Sequence, residues 1–400
     1  LQFHQEMRAQ FPDAPKHRQL LAGRYFALGR LLGNANRHKD AEEHYRQALQ
    51  TQEKLVAEFP DQHDYRKDLT KTLNHLGSFL LGLGRDPEAE KMFRKALPIH
   101  EALAAEAPKN LEYQSDLGGV LHNLALPLRD RGELEEAQRL FKQAINCQRI
   151  AYKSNPQHPQ YRRYLKKHLV TLANLLIRKK DHGEAANVAW EWAELFADDG
   201  RELFEAGYIL GLCVPLAKTD SRLPPDQRPS VADGYTEQAE KLFQRVVQVG
   251  AEDAGALSEL AWFRANSKAP FGNVAEAVTL AKKAVELAPK QAKGWQTLGA
   301  AQVRAGDGPA AVVALEKWTQ LSSGGDAWGW FFLAMAHAQA GQKEQARKWY
   351  DQAVMWMEKN RPNDAALRRF RAEAAALLNL PEAPKKGDVP KNGDKTAQSQ

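Results

Sequence analysis

Apolar residues recur along this chain at helical spacing. Leu69, Leu73, Leu76 and Leu80 are four, three and four residues apart, which predicts a helix with one apolar face. A turn follows near Gly84. Beyond it, small and aromatic residues recur at spacings of four and three, at Ala89, Phe93 and Ala96. The pattern therefore predicts two helices that pack together as a hairpin.

The hairpin returns at a fixed step of 48 residues. The connectors show the step in their prolines, at Pro12, Pro60, Pro108 and Pro156. The first helices share a slot that holds only small residues, at Gly29, Gly77, Ala125 and Ala173. Glycine inside a helix costs roughly 1 kcal/mol relative to alanine, so we expect another backbone to pass close to this slot. A single hairpin cannot bury its own apolar face, whereas stacked hairpins can.

The repeat step divides the chain into six segments. We predict the end of a truncated preceding repeat at 1–12, four long repeats at 13–204, a degenerate repeat at 205–250 with a Pro-rich loop at 219–234, three shorter repeats at 251–360, a capping helix at 361–380 and a disordered tail at 381–400. The loop is either functional or mobile. Because the chain begins inside a repeat, we expect it to be a fragment of a longer protein.

Composition excludes several classes of protein. The hydrophobic share is 43% and the charged share 26%, as in soluble globular chains, and no apolar run is long enough to span a membrane. Cys147 and Cys213 form neither a zinc-site pattern nor a disulfide framework, which favours a cytoplasmic location. The net charge of +6 is modest and does not by itself indicate nucleic-acid binding.

The motifs of common catalytic sites are missing from the sequence. No two histidines have the four-residue spacing of a zinc protease, and the chain has no phosphate-binding loop and no nucleophile elbow. Carboxylates alternate with lysines and arginines on helical faces, which is typical of solvated surface. We therefore predict a non-enzyme without cofactor, metal or small-molecule substrate.

The shorter repeats carry a recognisable signature. Trp295 is followed by Leu298 and Gly299, which resembles the start of a tetratricopeptide repeat. The resemblance extends over nearly all of residues 1–360. It implies an all-α, right-handed superhelical solenoid of antiparallel helix pairs that acts as a scaffold for protein or peptide partners.

A narrower resemblance concerns the last repeats. The 48-residue step, the segment from Ala327 to Asn360 and the following Arg368–Leu378 resemble the C-terminal arrays of large bacterial eukaryotic-type serine/threonine kinases. This implies a recruitment or regulatory arm of a signalling kinase, although the kinase motifs themselves do not occur here. The alternatives are a stand-alone adaptor and, less favoured, a nucleic-acid-binding helical repeat.

The family resemblance also implies which residues face a partner, because the first helix of each repeat lines the concave face. One column of inward residues would contain Phe26, Asn74 and His122, and the next Arg30, Ser78, Leu126 and Asn174. Family members that grip a terminal carboxylate use a lysine and an asparagine in these columns. Here Val170, four residues before Asn174, stands where that lysine would be, so we do not predict that clamp.

Two local features add candidate residues. Arg163 and Lys167 lie one helical turn apart and would form a basic stripe for an acidic or phosphorylated partner. The alternative is a solvated face balanced by carboxylates of neighbouring repeats. Trp328, Phe331 and Met335 lie in an aromatic-rich repeat and would line an apolar groove for a partner helix. The alternative is that they form core and capping contacts.

Overall fold

The computed structural model describes residues 14–268 and 270–380, and every regular element in these ranges is an α-helix. The helices are α1 Pro15–Asn34, α2 His38–Glu58, α3 His63–Gly82, α4 Asp86–Glu106, α5 Leu111–Arg131, α6 Leu134–Ser154, α7 Pro159–Arg178, α8 His182–Leu195, α9 Gly200–Thr219, α10 Gln227–Val249, α11 Ala254–Asn266, α12 Val274–Leu287, α13 Ala292–Arg304, α14 Gly308–Leu321, α15 Ala327–Gln339, α16 Lys343–Asn360 and α17 Ala365–Leu377. The prediction of an all-α fold of helix pairs is confirmed. The chain forms two compact units, the first ending at Trp192 and the second beginning at Ala193.

Helices of the first unit pack in sequential pairs. α1 packs on α2, α3 on α4 and α5 on α6, and the second helix of each pair also contacts the first helix of the next pair. The first helices α1, α3, α5 and α7 additionally contact one another in order. Each pair thus buries its apolar face against its neighbours, as a stacked repeat requires.

The small-residue slot of the first helices meets an aromatic ring. A Cβ atom built on Gly77 would lie 2.5 Å from Cε1 of Phe93, and one on Gly29 would lie 2.9 Å from Cδ1 of Tyr45. The close neighbour of Gly77 is therefore a ring, not the backbone that the sequence pattern suggests. On the second helices, the repeated alanines are fully buried at positions 41, 89, 137 and 185.

The second unit keeps the same pairing, and its helices from α11 onward are shorter than α1 to α7 of the first unit. α9 packs on α10, α11 on α12, α13 on α14 and α15 on α16, while α17 covers α15. A Cβ atom on Gly207 would lie 2.7 Å from Cε1 of Phe243, so α9 and α10 repeat the glycine–ring contact of Gly77 with Phe93. The segment at 205–250 thus contains a helix pair with the same internal contact as the long repeats.

The Pro-rich loop is shorter than predicted. The prediction of a loop over 219–234 agrees with the structure to one residue at its start, since α9 ends at Thr219, but it is wrong at its far end, because α10 already begins at Gln227. Pro229 lies in the first turn of α10, where a missing backbone N–H leaves no helical hydrogen bond unmade. The predicted repeat remnant at 1–12 and the predicted tail at 381–400 lie outside the described residues.

Candidate functional site

The first helices of the first unit bring several predicted residues together. The Phe26 ring meets His75 edge-on with 5.0 Å between ring centroids, and the Lys71 ammonium lies 5.2 Å above the same ring. Further along, Asn123 donates a hydrogen bond of 2.9 Å to the Asn74 side chain. These residues connect adjacent first helices to one another.

Ser78 and Leu126 lie at the same level as this asparagine contact. Asn123 Nδ2 donates a second hydrogen bond of 3.3 Å to Ser78 Oγ. Leu126 is half-buried, whereas Arg30 and Asn174 are exposed. The structure thus divides the predicted columns into residues that connect helices and residues that reach solvent.

His122 is not available to a partner, contrary to its predicted place in the column. Its side chain is 1% exposed, and its Nδ1 lies 3.0 Å from Nδ1 of His168, which is also buried. Burial lowers the pKa of both imidazoles. The charges of His168, Lys167 and Arg129 lower the pKa of His122 further, and the charge of Lys167 lowers that of His168. The pair therefore packs α5 against α7 in the neutral form.

Two basic residues on α3 are paired with carboxylates. Arg66 forms an ion pair of 2.6 Å with Glu106, and Lys67 forms one of 2.9 Å with Glu112. These two residues are therefore balanced by carboxylates on the following helices. This is the alternative to a basic stripe that binds a partner.

Arg163 and Lys167, the predicted basic stripe itself, are both exposed on α7. The Arg163 guanidinium lies 5.3 Å from the centre of the Tyr164 ring. Partial burial lowers the pKa of Lys167, and the charge of Arg163 lowers it further. The stripe stays a prediction.

Two of the three predicted groove residues belong to the core. Phe331 is 0% exposed and Met335 is 1% exposed, and both lie in the apolar cluster with Trp318 and Phe370. Their prediction as groove-lining residues is wrong, because both side chains pack inside this cluster and are shielded from solvent. Trp328 is half-buried and lies at the edge of this cluster.

Trp328 instead lines a groove on the first helices of the second unit. The groove has a volume of about 610 Å³, within the usual range of ligand pockets. Its walls come from α9, α11, α13 and the start of α15. The lining side chains are Phe204, Glu205, Tyr208, Glu259, Trp262, Phe263, Asn266, Ser267, Lys293, Gln296, Thr297, Asp326 and Trp328.

Aromatic rings make up much of the groove surface. Phe204 and Tyr208 each meet Phe263 nearly perpendicularly, with centroids 6.0 and 5.8 Å apart. Trp262 meets the buried Phe332 in the same way at 5.5 Å. The rings are therefore held from behind by the core, while Tyr208 remains 38% exposed.

Polar groups in the groove differ in how they are paired. Lys293 Nζ lies 3.2 Å from Glu259 Oε1. Asp326 caps α15 by accepting a hydrogen bond of 3.0 Å from the Gly329 amide, and Gln296 donates to the same oxygen at 3.3 Å. These side chains satisfy one another across successive first helices.

Glu205 is the exception among the groove carboxylates. Burial raises its pKa, the charges of Glu259 and Glu202 raise it further, and only Lys293 opposes them. No hydrogen bond or ion pair joins the Glu205 carboxylate to another side chain within residues 14–268 and 270–380. The groove therefore combines exposed aromatic surface with one carboxylate whose ionised form is destabilised by burial and by neighbouring carboxylates.

The sequence reading missed most of this groove. Phe204, Glu205 and Tyr208 come from the segment predicted to be a degenerate repeat, and no residue of α11 was among the predicted site residues. The usable signal was the glycine at position 207, since it marks α9 as the first helix of a pair.

Comparisons with known proteins support the repeat class. Family models described as tetratricopeptide repeat match residues 22–63, 69–104 and 118–160, and a further model of the same description matches 329–360. Segments of both units therefore match tetratricopeptide repeats, and the resemblance drawn from the sequence is confirmed for these segments. No curated protein matches the chain.

Several solved structures are similar to this chain. A tetratricopeptide repeat protein from Parabacteroides merdae is 11% identical over 89% of this chain and 99% of its own, with a TM-score of 0.35. Yeast Tom70 is 11% identical over 89% of this chain and 95% of its own, with a TM-score of 0.33. The TPR2AB domain of yeast Sti1, solved in complex with pHSP90, is 15% identical over 77% of this chain and 99% of its own, with a TM-score of 0.25.

Within 14–268 and 270–380, none of the helices is both long and apolar enough to cross a membrane. The same ranges contain no group of three or more side chains placed to hold a metal ion.

Proposed function

We propose that this chain is a non-catalytic protein-interaction scaffold whose second unit binds a partner peptide or helix in the groove on its first helices. The observation that carries the proposal is the aromatic surface of that groove. Tyr208 is exposed there, and Trp262 and Trp328 are half-buried beside it. Aromatic side chains held rigidly in a concave surface are the usual anchors of protein interfaces.

The test compares one groove residue with one exposed apolar residue outside the groove. Peptides are selected from a random 12-residue display library on the immobilised chain, and their dissociation constants are measured by fluorescence anisotropy. We expect Tyr208→Ala to weaken binding about tenfold, because losing an aromatic anchor costs roughly 1–2 kcal/mol. Met355→Ala serves as the control, since Met355 is 70% exposed on α16 and does not line the groove.

The outcome is read together with the melting temperature of each variant. Equal loss of affinity in both variants, or no loss in Tyr208→Ala at an unchanged melting temperature, would contradict the proposal.

The wider biological role rests on sequence resemblance alone. We propose a recruitment or regulatory arm of a larger bacterial signalling kinase, with a stand-alone adaptor as the alternative. The coding frame upstream of Leu1 separates the two. A serine/threonine kinase signature there supports the arm, whereas a start codon within one or two repeats contradicts it.

The remaining alternatives concern polyanionic and acidic partners. A nucleic-acid-binding repeat would lose affinity steeply as salt rises, and the carboxylates of the groove disfavour a polyanion there. An acidic or phosphorylated partner would instead use Arg163 and Lys167. The double variant Arg163→Glu, Lys167→Glu abolishes binding only if that stripe is the contact surface.

A further inference from the structure

The groove carries more negative than positive charge. Glu205, Glu259 and Asp326 line it together with a single lysine, Lys293. That lysine is paired with Glu259 at 3.2 Å, and Asp326 is engaged by the Gly329 amide and by Gln296. Glu205 is thus the groove carboxylate that an incoming cation could neutralise without breaking an existing contact.

Rings flank this carboxylate on its own helix and on the next. Phe204 and Tyr208 lie one residue before and three after Glu205 on α9, and Trp262 and Phe263 face the groove from α11. The faces of such rings attract cations, most strongly when the cation is an arginine or lysine that has lost part of its water. The same fold already uses this contact nearby, where the Arg361 guanidinium lies 5.1 Å from the centre of the Trp328 ring.

We propose that the occupant of this groove is a partner peptide that inserts an arginine side chain, pairing its guanidinium with Glu205 and stacking it on the groove aromatics. The inference rests on the proposed function, since it names the chemistry of the partner at that same groove.

Arginine fits this surface better than lysine. Its guanidinium is planar, so that it can stack on a ring and still present two N–H groups to a carboxylate. It is also less strongly hydrated than an ammonium group, which lowers the cost of placing it among rings. The positive guanidinium would also complement the negative charge of Glu205. The ionised Glu205 carboxylate has no other partner among the described side chains.

The test is a double-mutant cycle that combines one change in the protein with one change in the selected peptide. Peptides from the display library are synthesised with arginine or with citrulline, its neutral isostere, at the same position. Each is titrated by fluorescence anisotropy against the wild-type chain and Glu205→Gln. Glu286→Gln is the control, because Glu286 is exposed on α12 outside the groove.

We expect the selected peptides to be enriched in arginine. Glu205→Gln should weaken the arginine peptide at least tenfold and leave the citrulline peptide within twofold, whereas Glu286→Gln should change neither. Glu205→Gln removes a repulsive carboxylate, so its melting temperature should not fall below that of the wild type.

Failure of this inference differs from failure of the proposed function. Peptides that lose affinity on Tyr208→Ala, but lack arginine or bind Glu205→Gln as tightly as wild type, overturn the arginine proposal and leave the groove as the binding site. A selection in which no peptide responds to Tyr208→Ala overturns both.

Discussion

Some single side chains lower the free energy of unfolding in ways that the repeat pattern alone does not show. Asp116 on α5 has its pKa raised to about 6, mainly by burial and further by Glu112, against the opposing charges of Lys67 and Lys71. The folded state therefore holds the proton to a higher pH than the unfolded chain does. The free energy of unfolding consequently falls as pH rises from about 4 to about 6.

Removing this carboxylate should stabilise the protein at neutral pH. We expect Asp116→Asn to raise the free energy of unfolding at pH 7.5 by about 1–2 kcal/mol. This is less than the roughly 3 kcal/mol equivalent of the shift, because solvent screens a side chain that is only partly buried. At pH 4.5 the gain should be only about a third as large, because the folded carboxyl group is still protonated there while the unfolded one is largely ionised. Urea unfolding at the two pH values measures both.

The control for this prediction is Asp61→Asn, since Asp61 is exposed between α2 and α3. It should change stability little at either pH. A gain for Asp116→Asn that is the same at pH 4.5 and 7.5 would show that ionisation of Asp116 is not the cause.

Buried polar residues mark the limit of prediction at this scale. One slot of the second helices holds Gln52, His100 and Gln148 at the 48-residue step, and all three are buried. Gln148 accepts a hydrogen bond from Ser115 and donates one to the Tyr161 carbonyl. The period places these residues correctly, but only the structure shows which of them finds a partner.

At the scale of helix pairs, the glycine–ring contact sets how closely two helices pack. Gly77→Ala should lower the free energy of unfolding by about 1–2 kcal/mol, because the new methyl group would lie 2.5 Å from the buried Phe93 ring. Ala125 occupies the same slot two helices later, so a modest shift can accommodate the group. Thermal or urea unfolding gives the difference.

Gly23→Ala is the matched control on α1. A Cβ atom there meets nothing within 4 Å, so the better helix propensity of alanine should raise stability by about 0.5–1 kcal/mol. Opposite signs for the two substitutions are the expected result. If both variants are stabilised, the contact with Phe93 does not limit the approach of α3 and α4.

Periodicity predicted the helix pairs well, because an apolar stripe and a small-residue slot are properties of the sequence itself. It failed where two helices are separated by an insertion. The 48-residue step is lost between α9 and α10, so Gly207 and Phe243 were not recognised as the same contact. It also failed for Phe331 and Met335, since a pattern of large apolar residues does not distinguish a groove from a core.

At the scale of the whole molecule, the two units present different surfaces on their first helices. In the first unit, Asn74 and Asn123 are hydrogen-bonded to each other, and His122 packs on His168. In the second unit, the corresponding helices leave a groove in which the Glu205 carboxylate has no ion-pair or hydrogen-bond partner among the described side chains. This contrast is why we assign the partner to the second unit.

Hydrogen–deuterium exchange of the full chain, with and without a selected arginine peptide, tests this assignment most directly. We predict slower exchange of backbone amides in α9, α11 and α13, with α3, α5 and α7 unchanged. Protection confined to α3, α5 and α7 would contradict the account, because it would place the partner on the first unit.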